Sequence, residues 1–192
     1  MVWVSRASED AQKVARSMAS VIGRRIGWKD METEVVWPGR SLDRIDWSGA
    51  ELVLSAAHNS ESLSHDLGRL GSERHVLVVG MTQKEDLPES IEPLLNSEGR
   101  IRTIVTEVHG GRSPSVPAEH LSEYLSPHSE EALMIITEPI EALDAASRVA
   151  IEEGCTVYLT GSVYLVGQAI DEKVSREGGG LWDNLEAHPS RG

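Results

Sequence analysis

The chain has 192 residues and a mass of 21.0 kDa, enough for one domain with an appended helix and tail. Hydrophobic residues make up 40%, too many for a disordered chain, and with five Trp, three Tyr and no Phe the core has to be aliphatic. The formal charge of −13 repels phosphate backbones and argues against nonspecific nucleic-acid binding, and a single cysteine, Cys155, leaves no disulfide framework and no cysteine-rich zinc site.

The N-terminal stretch predicts a helix over 8–22. Ser8 can cap it, Glu9 and Asp10 suit its positive end, and Ala11, Val14, Ala15, Met18, Val21 and Ile22 recur at helical spacing. Trp37-Pro-Gly-Arg40 reads as a loop. The sequence leaves room for an additional antiparallel strand near Arg44 to Asp46. From there short apolar runs alternate with helical patterns. Leu52–Leu54, His75–Gly80, Ile101–Val105, Met134–Ile136 and Thr156–Leu159 are the expected strands. Between them, Leu63, Leu67 and Leu70 form a helix face closed by Gly71. Pro88–Leu95 and Pro117–Leu125 are further helices. Thr137 can cap a helix that begins Glu138-Pro139, turns Ile140, Leu143, Ser147, Ala150 and Ile151 inward and ends at Gly154. After Gly161-Ser162 a last helix is expected to end near Ile170, and 173–192, with Glu177-Gly-Gly-Gly180, reads as a mobile tail.

Alternating β and α units predict an α/β fold with a mostly parallel sheet of five to six strands and helices on both faces. The expected organisation is an N-terminal helix in 1–30, a domain over 31–172 and a tail over 173–192. Ligands of such sheets bind beyond the carboxyl ends of the strands. The loops Ser55–Ser60, Gly80–Asp86 and Thr160–Ser162 should therefore share one edge. No apolar run approaches the roughly 20 residues that span a bilayer, and the N-terminus has no signal-peptide pattern. A cytoplasmic protein without membrane or nucleic-acid partners is expected.

Each polar motif on that edge has two readings. His58, in Leu54-Ser-Ala-Ala-His-Asn-Ser60, offers a donor, an acceptor and a flat face, while Asn59 or Ser60 can simply cap a helix. Arg40 presents a fork of donors suited to phosphate, or is a surface arginine beside a tryptophan. Lys84 could hold a carboxylate or phosphate, or be solvated among Glu85 and Asp86. Arg112, in Gly110-Gly-Arg-Ser-Pro114, is a ligand contact or part of a plain connection. Ser162 opens a helix whose amides could hold an anion, or marks close packing through Gly161. The histidines do not form a metal set, and no metal site is expected. No Gly-Lys pair exists, so there is no Walker A motif, and Gly-x-Gly-x-x-Gly is missing too.

Taken in order, Trp37-Pro-Gly-Arg40, Ala57-His-Asn59, Gly80-Met with Lys84, Arg112-Ser-Pro114 and Gly161-Ser-Val-Tyr-Leu-Val-Gly167 resemble the C-terminal, Rossmann-like domain of folylpolyglutamate synthase/dihydrofolate synthase, in the Mur ligase superfamily. The resemblance covers about residues 8–170, the 8–22 helix matching the end of the family's central domain. It implies part of an ATP-dependent amide ligase acting on folate. Such enzymes phosphorylate a carboxylate with ATP and Mg, and the amine of an incoming glutamate attacks the acyl phosphate. Carried over residue by residue, Arg40 would face ATP phosphates, His58 and Asn59 would line the nucleotide and amino-acid cleft, and Ser162 would sit near the glutamate. The resemblance thus implies catalytic roles for His58 and Ser162, nucleotide contacts from Arg40, His58 and Asn59, and substrate or phosphate contacts from Lys84 and Arg112. ATP and Mg would bind only together with a P-loop domain, in cis or in trans, and the chain alone is expected to be inactive.

The chain departs from the family pattern in three places. Ser55 stands where the family has Asp, Ser60 where it has Pro, and Gln83-Lys84-Glu85 where it has Asp-Lys-Asp. The P-loop domain is missing. A gene fragment, one subunit of a split ligase, and a diverged noncatalytic binding or regulatory module on the same scaffold all fit these facts.

Overall fold

The structure is a computed structural model that describes residues 39–40, 42–126 and 133–178. The expected helix over 8–22, Trp37-Pro38 and the stretch beyond 178 lie outside the described residues. Among these described residues eleven elements follow one another: β1 (Asp43–Trp47), β2 (Ala50–Leu54), α1 (Ser60–Leu70), β3 (His75–Val79), α2 (Leu87–Leu95), β4 (Arg100–Val105), α3 (Ala118–Leu125), β5 (Leu133–Ile135), α4 (Pro139–Glu153), β6 (Thr156–Thr160) and α5 (Val163–Glu177).

The strands form one sheet in the order β1-β2-β6-β3-β4-β5. All pairs are parallel except β1 with β2, where Ile45 faces Leu52 across a hairpin turn. The strand foreseen near Arg44 is therefore real and is the antiparallel edge. Side chains of the central strands alternate between two cores with period two. Val76, Val78, Leu52, Leu54, Val157 and Leu159 join one core with Leu143 of α4 and Leu165 of α5. Leu77, Val79, Val53 and Tyr158 point the other way, onto Leu63 of α1, Ile91 of α2 and Leu121 of α3. Both faces of the sheet are covered, which is why these strands read as unbroken apolar runs rather than alternating ones.

This order creates a switch point. The chain leaves β2 and β3 toward α1 and α2 on one face, and leaves β6 toward α5 on the other. Strand β6 lies between β2 and β3, so backbones diverge on both sides of its carboxyl end, and a crevice opens there.

Four sequence expectations shift. Strand β5 is Leu133–Ile135 rather than Met134–Ile136, although Ile136 still donates to the Val105 carbonyl at 3.0 Å. Helix α4 is capped by Glu138, not Thr137, and without a side-chain bond, because the Thr137 carbonyl is taken by Glu107 N and Thr106 Oγ1 at 3.1 and 3.0 Å. Ile151 is 55% exposed instead of inward. The buried stripe of α4 follows Ala142, Leu143, Ala146, Ser147 and Ala150, and Ile151, in the last turn of the helix, falls outside it. Finally, α5 runs to Glu177, past both the expected helix end at Ile170 and the expected tail boundary at 173. Its apolar face continues through Ala169 and Ile170 to the buried stem of Lys173, whose ammonium pairs with Glu177 at 2.7 Å. Among the described residues no helix is long and apolar enough to cross a membrane.

Candidate functional site

Parallel strands bring the loops after β2, β3, β4 and β6 to one edge, and hydrogen bonds tie them together. Ser55 N donates to Leu159 O at 2.9 Å, Gly80 N to Thr160 O at 3.4 Å and Gly161 N to Ala57 O at 2.9 Å. Gly161 has φ +105°, and a Cβ there would run into the Gly80 carbonyl and come within 2.9 Å of the Met81 sulfur. Only glycine lets the loop after β6 lie this close to the loop after β3.

Arg40 rides on a turn pinned to the same edge. Gly39, at φ +76°, accepts from Ala56 N at 2.6 Å and donates to Asp43 Oδ2 at 2.6 Å, and a Cβ on it would sit 2.9 Å from Val166. Burial pushes the Asp43 carboxyl above its usual value, while the Gly39 amide pulls it down. The Arg40 side chain itself is exposed.

The backbone of the loop from Ser55 to Asn59 is held at several points. His58 N donates to Ser62 Oγ at 3.2 Å, and the His58 carbonyl accepts from the Lys84 ammonium. Lys84 is thus tied to the loop after β2. Burial lowers its pKa below that of free lysine, and Asp86 partly offsets this. His58 Nδ1 lies 2.9 Å from the Ala56 carbonyl oxygen. A carbonyl only accepts, so Nδ1 carries the proton and Nε2 of the exposed ring is left as an acceptor.

Asn59 and Ser162 sit at the edge as helix caps. Asn59 Oδ1 accepts from Ser62 N at 2.9 Å in a capping box at the start of α1. Ser162 Oγ accepts from Tyr164 N at 3.2 Å at the start of α5, and Ser162 is only 3% exposed. Arg112 stands exposed on the loop after β4. That loop docks on the loop after β3 through Gln83 N to Pro114 O and Val116 N to Met81 O, both 2.8 Å. A shallow groove of about 500 Å³ opens beside α5, lined by His109, Tyr164, Gln168 and Asp171 among others. Another of about 350 Å³ flanks Lys84, with His120 and Tyr124 on its far wall. Among the described residues no group of three or more His, Cys, Asp or Glu could hold a metal ion.

Sequence reasoning missed the polar cluster beneath this edge. Ser55 Oγ donates to Asp66 Oδ2 at 2.7 Å, and Thr160 Oγ1 bonds Ser55 Oγ at 3.2 Å and the Ala57 carbonyl at 3.3 Å. Ser55 and Thr160 are fully buried, and Asp66 is 6% exposed. Burial pushes the nearby Tyr158 phenol up to about 12, against the Ser55 and Thr160 hydroxyls. The available signal was Asp66 itself, an acid three residues after Leu63 and four before Leu70 on the apolar stripe of a helix.

The same architecture occurs in solved folylpolyglutamate synthases. The Mycobacterium tuberculosis folylpolyglutamate synthase complexed with ADP and AMPPCP superimposes with a TM-score of 0.62, at 20% identity over 76% of this chain. The fold is shared with folylpolyglutamate synthases. The Thermotoga maritima folylpolyglutamate synthase gives a TM-score of 0.61 at 18% identity over 86% of the chain, and E. coli FolC in complex with DHPP and ADP gives 0.55 at 20% over 82%. The chain spans only 33%, 39% and 38% of those three folylpolyglutamate synthase chains. No protein-family model matches the chain, and no curated protein sequence does.

Proposed function

We propose that this chain is the lid domain of an ATP-dependent amide ligase of the folylpolyglutamate synthase type. It closes over a nucleotide held by a separate P-loop domain and helps seat the incoming glutamate, with a folate as the acceptor. The observation that carries this reading is convergence. Arg40, His58, Asn59, Lys84 and Ser162 lie on four loops at the switch-point edge of one sheet, and backbone bonds from Ala56 to Gly39 and from Gly161 to Ala57, with the Lys84 bond to the His58 carbonyl, tie those loops together. The solved relatives of this fold hold ADP, AMPPCP or AMPPNP with Mn, which supports nucleotide and metal use in such a cleft.

In this reading the residues divide their tasks. Arg40, exposed itself and carried on a turn fixed through Gly39, would hold phosphate oxygens. His58 would offer its Nε2 lone pair to a hydroxyl or amine at the cleft. Asn59 and Ser162 act first as caps, so that each orients a helix N-terminus toward the ligand, with Ser162 nearest the amino acid. Lys84 holds the His58 loop, and Arg112 reaches the cleft only from the rim. The described carboxylates are too dispersed to cradle Mg alone, so the metal contacts fall to the P-loop partner.

A second reading is favoured by one observation. Ser55, where the family has an acid, is buried and bonded to Asp66 rather than open to a ligand. A noncatalytic binding module would tolerate that exchange. Mixing separates the two readings. Folate- and glutamate-dependent ATP cleavage should be absent with this chain alone and appear when a P-loop ligase domain lacking its own lid is added. A mixture that binds nucleotide yet never cleaves it supports the module instead.

A further inference from the structure

An acid on the buried stripe of an amphipathic helix breaks the local rule that this stripe is apolar, and broken local rules mark positions with a job beyond folding. Asp66 breaks it on α1, between Leu63 and Leu70, at 6% exposure. Its two oxygens are both taken, Oδ2 by the Ser55 hydroxyl at 2.7 Å and Oδ1 by His65 Nδ1 at 3.1 Å.

The contacts form a relay. By using its proton on Asp66, the Ser55 hydroxyl turns a lone pair toward Ala57 N, which donates to it at 3.2 Å. Ala57 N–H and Ala56 C=O belong to the same planar peptide unit. Whatever fixes the one fixes the other, and the Ala56 carbonyl is the group that receives the His58 Nδ1 proton at 2.9 Å. Thr160 closes the frame from β6 by bonding Ser55 Oγ and the Ala57 carbonyl. We infer that Asp66 is a positioning residue: through Ser55 it locks the Ala56–Ala57 peptide, and so holds His58 in the Nδ1–H tautomer that presents Nε2 as an acceptor at the sheet's carboxyl edge.

Without the Asp66 acceptor, the Ser55 proton has other places to go, Ala57 N–H loses a fixed partner, and the peptide can rotate. The Ala56 carbonyl then leaves the imidazole, and His58 moves toward the Nε2–H form that free histidine favours. The geometry stands by itself. Only its consequence for ligand affinity rests on the nucleotide reading proposed above.

The test is the His58 tautomer ratio, read from the imidazole nitrogen and Cδ2 NMR shifts of the full chain above the histidine titration range. Asp66→Ala and Ser55→Ala should each lower the Nδ1–H to Nε2–H ratio by about three- to tenfold, the effect of one net hydrogen bond. Asp66→Asn, whose side-chain oxygen still accepts from Ser55, should keep the wild-type ratio. If Asp66→Ala proves too unstable to measure, Ser55→Ala decides alone, because it leaves the helix untouched. A wild-type ratio in Ser55→Ala overturns the inference, and so does a shifted ratio there with Asp66→Ala unchanged. ATP-analogue affinity of the same variants, measured with the P-loop domain, separates the two proposals. A shifted ratio with unaltered affinity keeps the positioning role and removes His58 from the nucleotide site.

Discussion

Two residues show how single positions support the edge. At φ +105° and against the Gly80 carbonyl, Gly161 has no room for a side chain. Gly161→Ala combines backbone strain of about 1–3 kcal/mol with a clash against main chain that cannot move aside. Urea unfolding should show a loss of at least about 2 kcal/mol. A cost below about 0.5 kcal/mol would mean that the two loops are not in contact. His75 sets a pH dependence. It is buried in β3, its Nδ1 donates to Glu73 O at 2.8 Å, and its Nε2 accepts from Ser97 Oγ at 3.3 Å. Burial lowers its pKa below the free value of 6.5, with the Glu73 carbonyl opposing. The unfolded chain therefore takes up a proton near pH 6.5 that the folded chain refuses. The contribution of His75 is complete above that pH and is lost as the pH falls through the lowered folded value. Urea midpoints should decline between pH 7.5 and 5.5 more steeply in the wild type than in His75→Asn, and parallel curves would contradict this.

The elements explain what could be read from the sequence and what could not. The parallel strands were legible because burial on both faces demands continuous aliphatic runs such as His75-Val-Leu-Val-Val79. Helix ends were legible where chemistry marks them, as at Asn59, Ser162 and the left-handed Gly154. The continuation of α5 to Glu177 was not. Its last turns bury one lysine stem and otherwise pair charges, with Arg176 bonded to Glu172 and Asp144, so they carry no apolar period. The edge loops were legible as loops, and the fold then predicts that they meet. The bonds among them were hidden, since nothing in Ser55 or Thr160 taken alone says that they bond across 105 residues. The cap at Ser162 also permits a prediction. Ser162→Ala removes the acceptor for Tyr164 N and should cost about 1 kcal/mol in thermal or urea unfolding. An unchanged stability would mean that the hydroxyl is free for another partner.

At the scale of the molecule, the chain is acidic overall yet carries Arg40 and Lys84 at its one switch-point edge. In the proposed reading, a P-loop partner completes the cleft and the charge balance around a triphosphate. The most direct measurement is titration of an ATP analogue into this chain assembled with a P-loop ligase domain, comparing wild type with Arg40→Ala and with Arg74→Ala, an exposed arginine before β3 that bonds Glu153. Loss of one charge-assisted contact costs about 1.5–3 kcal/mol, so Arg40→Ala should bind roughly ten- to hundredfold more weakly while Arg74→Ala binds as the wild type. Equal affinity for all three proteins would contradict a nucleotide cleft at this edge.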